Sequence, residues 1–171
     1  MARRVLKATL WVLAAAMFLG AGRAFVVLAA PPPGERALAG QARFLESALA
    51  DGAAREAQAL FPEGEAFLIV LSGLVTASDE TRPAEERRAV VERRLAELDA
   101  PAITRRFGDP GGVEHGVFYQ GWRLLLAVEH TRLGASGDSA QQVQERARAI
   151  LDAVAADPTG FAPSYPGARW P

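Results

Sequence analysis

The chain alternates between segments with a single hydrophobic stripe and segments that are hydrophobic nearly throughout. From Glu35 to about Leu60, Leu38, Leu45 and Leu49 recur at roughly helical spacing among polar residues, and Gly52 marks a break. Residues 66–77, AFLIVLSGLVTA, are then apolar almost all round, which predicts a helix covered on several sides. Pro62 suits a first helical turn there, and Glu63 and Glu65 suit the positive end of the helix dipole. The stripe returns in a helix with Pro83 in its first turn: Val91, Leu95 and Leu98 line one face, Glu and Arg alternate on the other, and Thr81 or Asp79 stands in position to cap.

The breaker-rich segment PAITRRFGDPGG reads as a connection, and VEHGVFYQGWRLLLAVEHTRLG after it as a second covered helix ending at Gly134. The last helix has the most regular pattern. Val143, Ala147, Ile150, Leu151 and Val154 follow the i, i+4, i+7, i+8, i+11 spacing of a core-facing stripe, with Asp138 and Gln141 as a capping box. No strand-like run with period two occurs. The order half-exposed, covered, half-exposed, covered, half-exposed predicts an all-α chain of antiparallel helical hairpins. One helix of each hairpin lies on an inner ring and its partner on an outer ring, as in solenoids and α/α toroids.

The amino terminus follows a different logic. Residues 1–30 carry Arg3, Arg4, Lys7 and Arg23 and no acid, so the remainder is net acidic at −5 within a total of −1. Two apolar runs, 8–22 and 24–30, flank Arg23. Read as a signal peptide, the first run is the apolar core, with small residues near Ala24 or Ala29 for cleavage. Read as a signal anchor, residues 8–30 make a helix of about 34 Å, enough to cross a hydrocarbon layer of ~30 Å. Arg23 costs that helix roughly 2.5–3.5 kcal/mol at mid-membrane, reduced as the side chain snorkels toward the outer interface. The anchor is the preferred reading. Both readings place the body outside the cytoplasm, with basic residues before the run orienting it: a single pass in a bacterial cytoplasmic membrane, or a secreted or periplasmic protein after cleavage. Residues 31–34 form a proline-rich linker and 35–171 a helical-hairpin domain.

Charge and composition then narrow the chemistry. A mildly acidic body with scattered arginines lacks the clustered basic face that nucleic-acid binding needs, so no nucleic-acid partner is implied. With no cysteine there are no disulfides, thiolate nucleophiles or cysteine zinc sites. GDPGG at 108–112 lacks the lysine and serine of a phosphate loop, and no GxSxG elbow is present. The dipeptide Glu-His occurs at 114–115 and again at 129–130, but on one helix fifteen residues span about 22 Å, too far to share an ion. No metal or cofactor is implied.

Three landmarks carry a resemblance: LFPEG leading into an apolar helix, GVFYQGWRLLL after a Gly-rich loop, and the terminal SYPGARWP. Together they resemble a family of largely uncharacterised bacterial α/α-toroid proteins, and more distantly the toroid of linalool dehydratase/isomerase and the six-hairpin enzymes. The resemblance covers residues 35–171. It departs at Glu65, where the family usually has an aromatic after the glycine, and at Ser72, where it has an aromatic in the apolar helix. Similar proteins continue past the YPG…WP loop, so the resemblance implies the amino-terminal part of a toroid. It also implies a central cavity reached by the loops that begin inner helices. Glu63 and Tyr165 are the candidate catalytic residues there, and Glu114, His115, Tyr119 and Trp170 the candidate ligand-binding ones, for a small apolar or carbohydrate-like ligand. The alternative is a non-catalytic scaffold or interaction module, which exposure of Val70, Leu125 and Leu126 favours. For Phe118, Tyr119 and Trp122, core packing at helical spacing is the plainer role, and for Glu63 a helix-dipole acid.

Overall fold

The computed structural model describes residues 34–108, 113–134 and 140–156. Residues 8–30 of the expected membrane segment, Asp138, most of the GDPGG turn, Tyr165 and Trp170 lie outside the described residues. The chain divides into two units, Met1–Gly34 and Glu35–Pro171, and every helix below belongs to the second. Among the described residues the regular elements are seven helices and no strands.

The first stripe is divided into α1 (Glu35–Ala50) and α2 (Ala53–Leu60). Gly52 turns the chain between them at φ 95°, a left-handed conformation that glycine adopts without a Cβ clash. Next comes α3 (Gly64–Ala77), with Pro62 held in the turn before it rather than in its first helical turn. That turn is tight. The Gly64 N–H donates to the Phe61 carbonyl at 3.0 Å, and the Gln58 side chain donates to the Pro62 carbonyl while its Oε1 accepts from the Glu65 N–H at 3.3 Å. A Cβ at Gly64 would stand 2.4 Å from the Ala57 carbonyl carbon and oxygen, so only glycine lets α3 start against α2.

The second half repeats the scheme: α4 (Ala84–Leu98), α5 (Pro101–Thr104), α6 (Gly116–Arg132) and then α7 (Ala140–Ala156). The short α5 lies inside the stretch read as a plain connection, started by Pro101, whose fixed φ suits a first helical position. Before α6 the Gly116 N–H donates to the Val113 carbonyl at 2.8 Å, the same closure as Phe61 to Gly64, 52 positions later. A long helix, a short helix, a closed turn and a glycine-started buried helix therefore occur twice.

Helix directions follow from the contacts. The Phe67 and Trp122 rings meet edge to face with centroids 5.1 Å apart, and further along both helices Gly73 faces Leu126. Hence α3 and α6 run in the same direction. Between them α4 runs the other way: its Arg87 donates to the Ala77 carbonyl at the end of α3, and its last residues reach Tyr119 near the start of α6. The core gathers where these three meet, around Val70, Val91, Leu98, Leu126 and Phe107 from the segment after α5. The α4 stripe is buried as its spacing predicts. The α7 stripe is only half-buried, and Leu151 is 67% exposed, because α7 packs mainly against α6. None of the described helices is long and apolar enough to cross a membrane.

The α3–α4 connection is fixed by charge. Asp79, 1% exposed, accepts hydrogen bonds from the Thr81 hydroxyl at 2.6 Å, the Thr81 N–H at 3.2 Å and Arg82 Nε at 3.1 Å. Arg82 then grips both oxygens of Glu46 on α1, at 2.8 and 3.1 Å, so one loop ties three helices together. Burial pushes the Asp79 carboxyl toward protonation, but the Thr81 hydrogen bonds and the Arg82 charge outweigh it and hold its pKa below the ordinary value. The contribution to stability is therefore present above a pH of about 3.9 and is lost as pH falls through the lower folded-state value.

This packing makes two predictions. In urea unfolding at pH 7, Asp79→Asn loses about 1–3 kcal/mol, and its stability falls less steeply than wild type below a pH of about 4. Gly40, in the middle of α1, has open space where a Cβ would point, so Gly40→Ala gains about 0.5–1 kcal/mol, whereas Gly64→Ala unfolds at lower urea than wild type.

Candidate functional site

The start of α6 gathers most of the candidate residues. His115 precedes the helix at φ 62°, the one non-glycine with positive φ among the described residues, and Gly116 follows at 74°. Histidine is among the residues that enter this region more readily than most. The two left-handed residues turn the chain into α6, so Glu114 and His115 stand ahead of the helix rather than on it. Glu114 is exposed, and its Oε1 lies 3.6 Å from His115 Nε2, an ion pair when the imidazole is protonated. The His115 ring meets Tyr119 edge to face at 5.3 Å, and the Gln120 amide donates to the Glu114 carbonyl at 2.8 Å.

Tyr119 is 2% exposed. Its hydroxyl lies 3.0 Å from both the Leu98 carbonyl oxygen and Asp99 Oδ1 and closes the end of α4. Burial and then the neighbouring Asp99 carboxylate push its phenol above the ordinary value, so it acts as a proton donor in a hydrogen bond and not as a base. Its ring packs on Phe107 at 5.1 Å, in an aromatic row that continues through Phe118 and Trp122 to Phe67. The helical spacing of Phe118, Tyr119 and Trp122 thus serves packing.

Asp99 and Arg123 complete the site, and neither stands out in the sequence. Arg123 Nε and Nη2 donate to the two Asp99 oxygens at 2.7 Å each, a bidentate pair. Burial again favours protonation of Asp99, but the Arg123 hydrogen bonds and charge, helped by Tyr119 and the Arg146 charge, hold its pKa below the ordinary carboxylate value. Asp99 ends α4, where a carboxylate opposes the helix dipole, and Arg123 offsets that cost. The available signals were an acid at a helix carboxyl end and a lone charge inside GVFYQGWRLLLAV. Twenty-four positions separate the pair, so no local spacing connects them.

These groups surround a cleft of about 540 Å³ between the end of α4, the start of α6 and α7. Ala149, Ile150 and Ala153 of α7 give the cleft an apolar part of its lining, and Arg146 lines it from the same helix. Of the candidates, Glu114, His115 and Tyr119 come together here. Glu63 does not line the cleft: it precedes α3, is 9% exposed, and its Oε2 is buried without a hydrogen-bond partner among the described residues. Tyr165 and Trp170 lie outside the described residues. A larger groove of about 940 Å³ runs between α1 and α4 and contains none of the candidates. Among the described residues, no three His, Asp or Glu are grouped to hold a metal ion.

No protein-family model, curated protein or solved structure matches this chain.

The buried phenol gives a direct check. The chain has two tyrosines, and in an alkaline titration followed at 295 nm one of them is expected to ionise only when the protein unfolds. Tyr119→Phe removes that delayed step and lowers stability by about 1 kcal/mol. A delayed step that persists in the variant contradicts the assignment.

Proposed function

We propose that this is a helical-hairpin, ligand-binding protein of the α/α-toroid kind, and that the cleft at the start of α6 takes a small apolar or carbohydrate-like ligand. The observation that carries the reading is the convergence of Glu114, His115 and Tyr119 with the Asp99–Arg123 pair on one cleft. Support for the toroid arrangement comes from two buried helices running in the same direction with an opposed helix packed against both, the relation that inner and outer helices of such a ring have.

In this reading the cleft offers a ligand two kinds of surface. The α7 wall contacts its apolar side. Asp99 accepts hydrogen bonds from its hydroxyl groups: the side chain is 46% exposed, and Tyr119 and Arg123 leave part of its acceptor capacity open. Glu114 is the exposed carboxylate available for proton transfer, with His115 beside it. Tyr119 is a positioning residue that holds Asp99. Residues 8–30 would keep this domain at the outer face of the membrane, or direct its export if they are cleaved.

A scaffold without chemistry is the second reading, and Leu125, 51% exposed, favours it. Val70 and Leu126 do not, since both are buried in the core.

Ligand-observed NMR on the full chain in detergent separates the two, with geraniol and methyl β-glucoside as probes. The proposal expects one of the probes to bind, and Glu114→Gln with His115→Ala to weaken it about tenfold with unchanged circular dichroism. Binding that is equal in wild type and variant removes this cleft as the site, and no binding of either probe favours the scaffold.

A further inference from the structure

We draw no further inference here: the strongest candidate, the groove between α1 and α4 where Arg55 and Arg93 have no ion-pair partner among the described residues, carries none, because four glutamates balance the four arginines along it and nothing in the structure shows what covers it.

Discussion

The close approach of α3 and α6 is the constraint on which the rest of the structure depends. Gly73 makes it possible: a Cβ at that position would stand 2.6 Å from Leu126 Cδ1 and 3.4 Å from the Arg94 Cβ, so three helices meet where one side chain is missing. Leu126 fills that space and is fully buried. Interiors packed to crystal-like density leave no slack for an added methyl, and the same tightness that makes the contact fragile also fixes the register of the two helices. With that register set, Phe67 reaches Trp122, and the starts of both buried helices come to the same end of the molecule.

Two charge clusters then hold the surrounding helices to this centre. At the end of α3, Asp79 and Arg82 join the α3–α4 loop to Glu46 on α1. At the opposite end of α4, Asp99 joins the helix terminus to Tyr119 and Arg123 of α6. Both aspartates are held below the ordinary carboxylate pKa against the cost of desolvation, Asp79 by the Thr81 hydrogen bonds and then the Arg82 charge, Asp99 by Arg123, yet their surroundings differ. Asp79 is closed off and its acceptors are used within the loop. Asp99, by contrast, opens onto the cleft at the start of α6.

Periodicity was a good guide to elements and a poor one to what lies between them. The Val91, Leu95 and Leu98 stripe and the all-round apolar run at 66–77 led directly to α4 and α3, because each pattern reports how many sides of a helix are covered. The α7 stripe was equally regular, but a stripe says only that a face is apolar, and Leu151 lies exposed on a helix that packs mainly against α6. The site was legible in part. Glu114, His115 and Tyr119 stood out by type and by their place before a covered helix. Asp99 and Arg123 did not, because pairing across 24 positions depends on how α4 and α6 pack and leaves no trace in local spacing. Glu63 met the same local criteria, and its burial away from the cleft is likewise a product of packing.

A double-mutant cycle at Gly73 and Leu126, read by urea unfolding of the full chain, tests the arrangement most directly. Gly73→Ala is expected to cost about 1–3 kcal/mol and Leu126→Ala about 2–5 kcal/mol. The added methyl fills part of the cavity left by the shortened leucine, so the double variant should lose less than the sum by at least about 1 kcal/mol. Costs that simply add, to within about 0.5 kcal/mol, would contradict the side-by-side packing of α3 and α6.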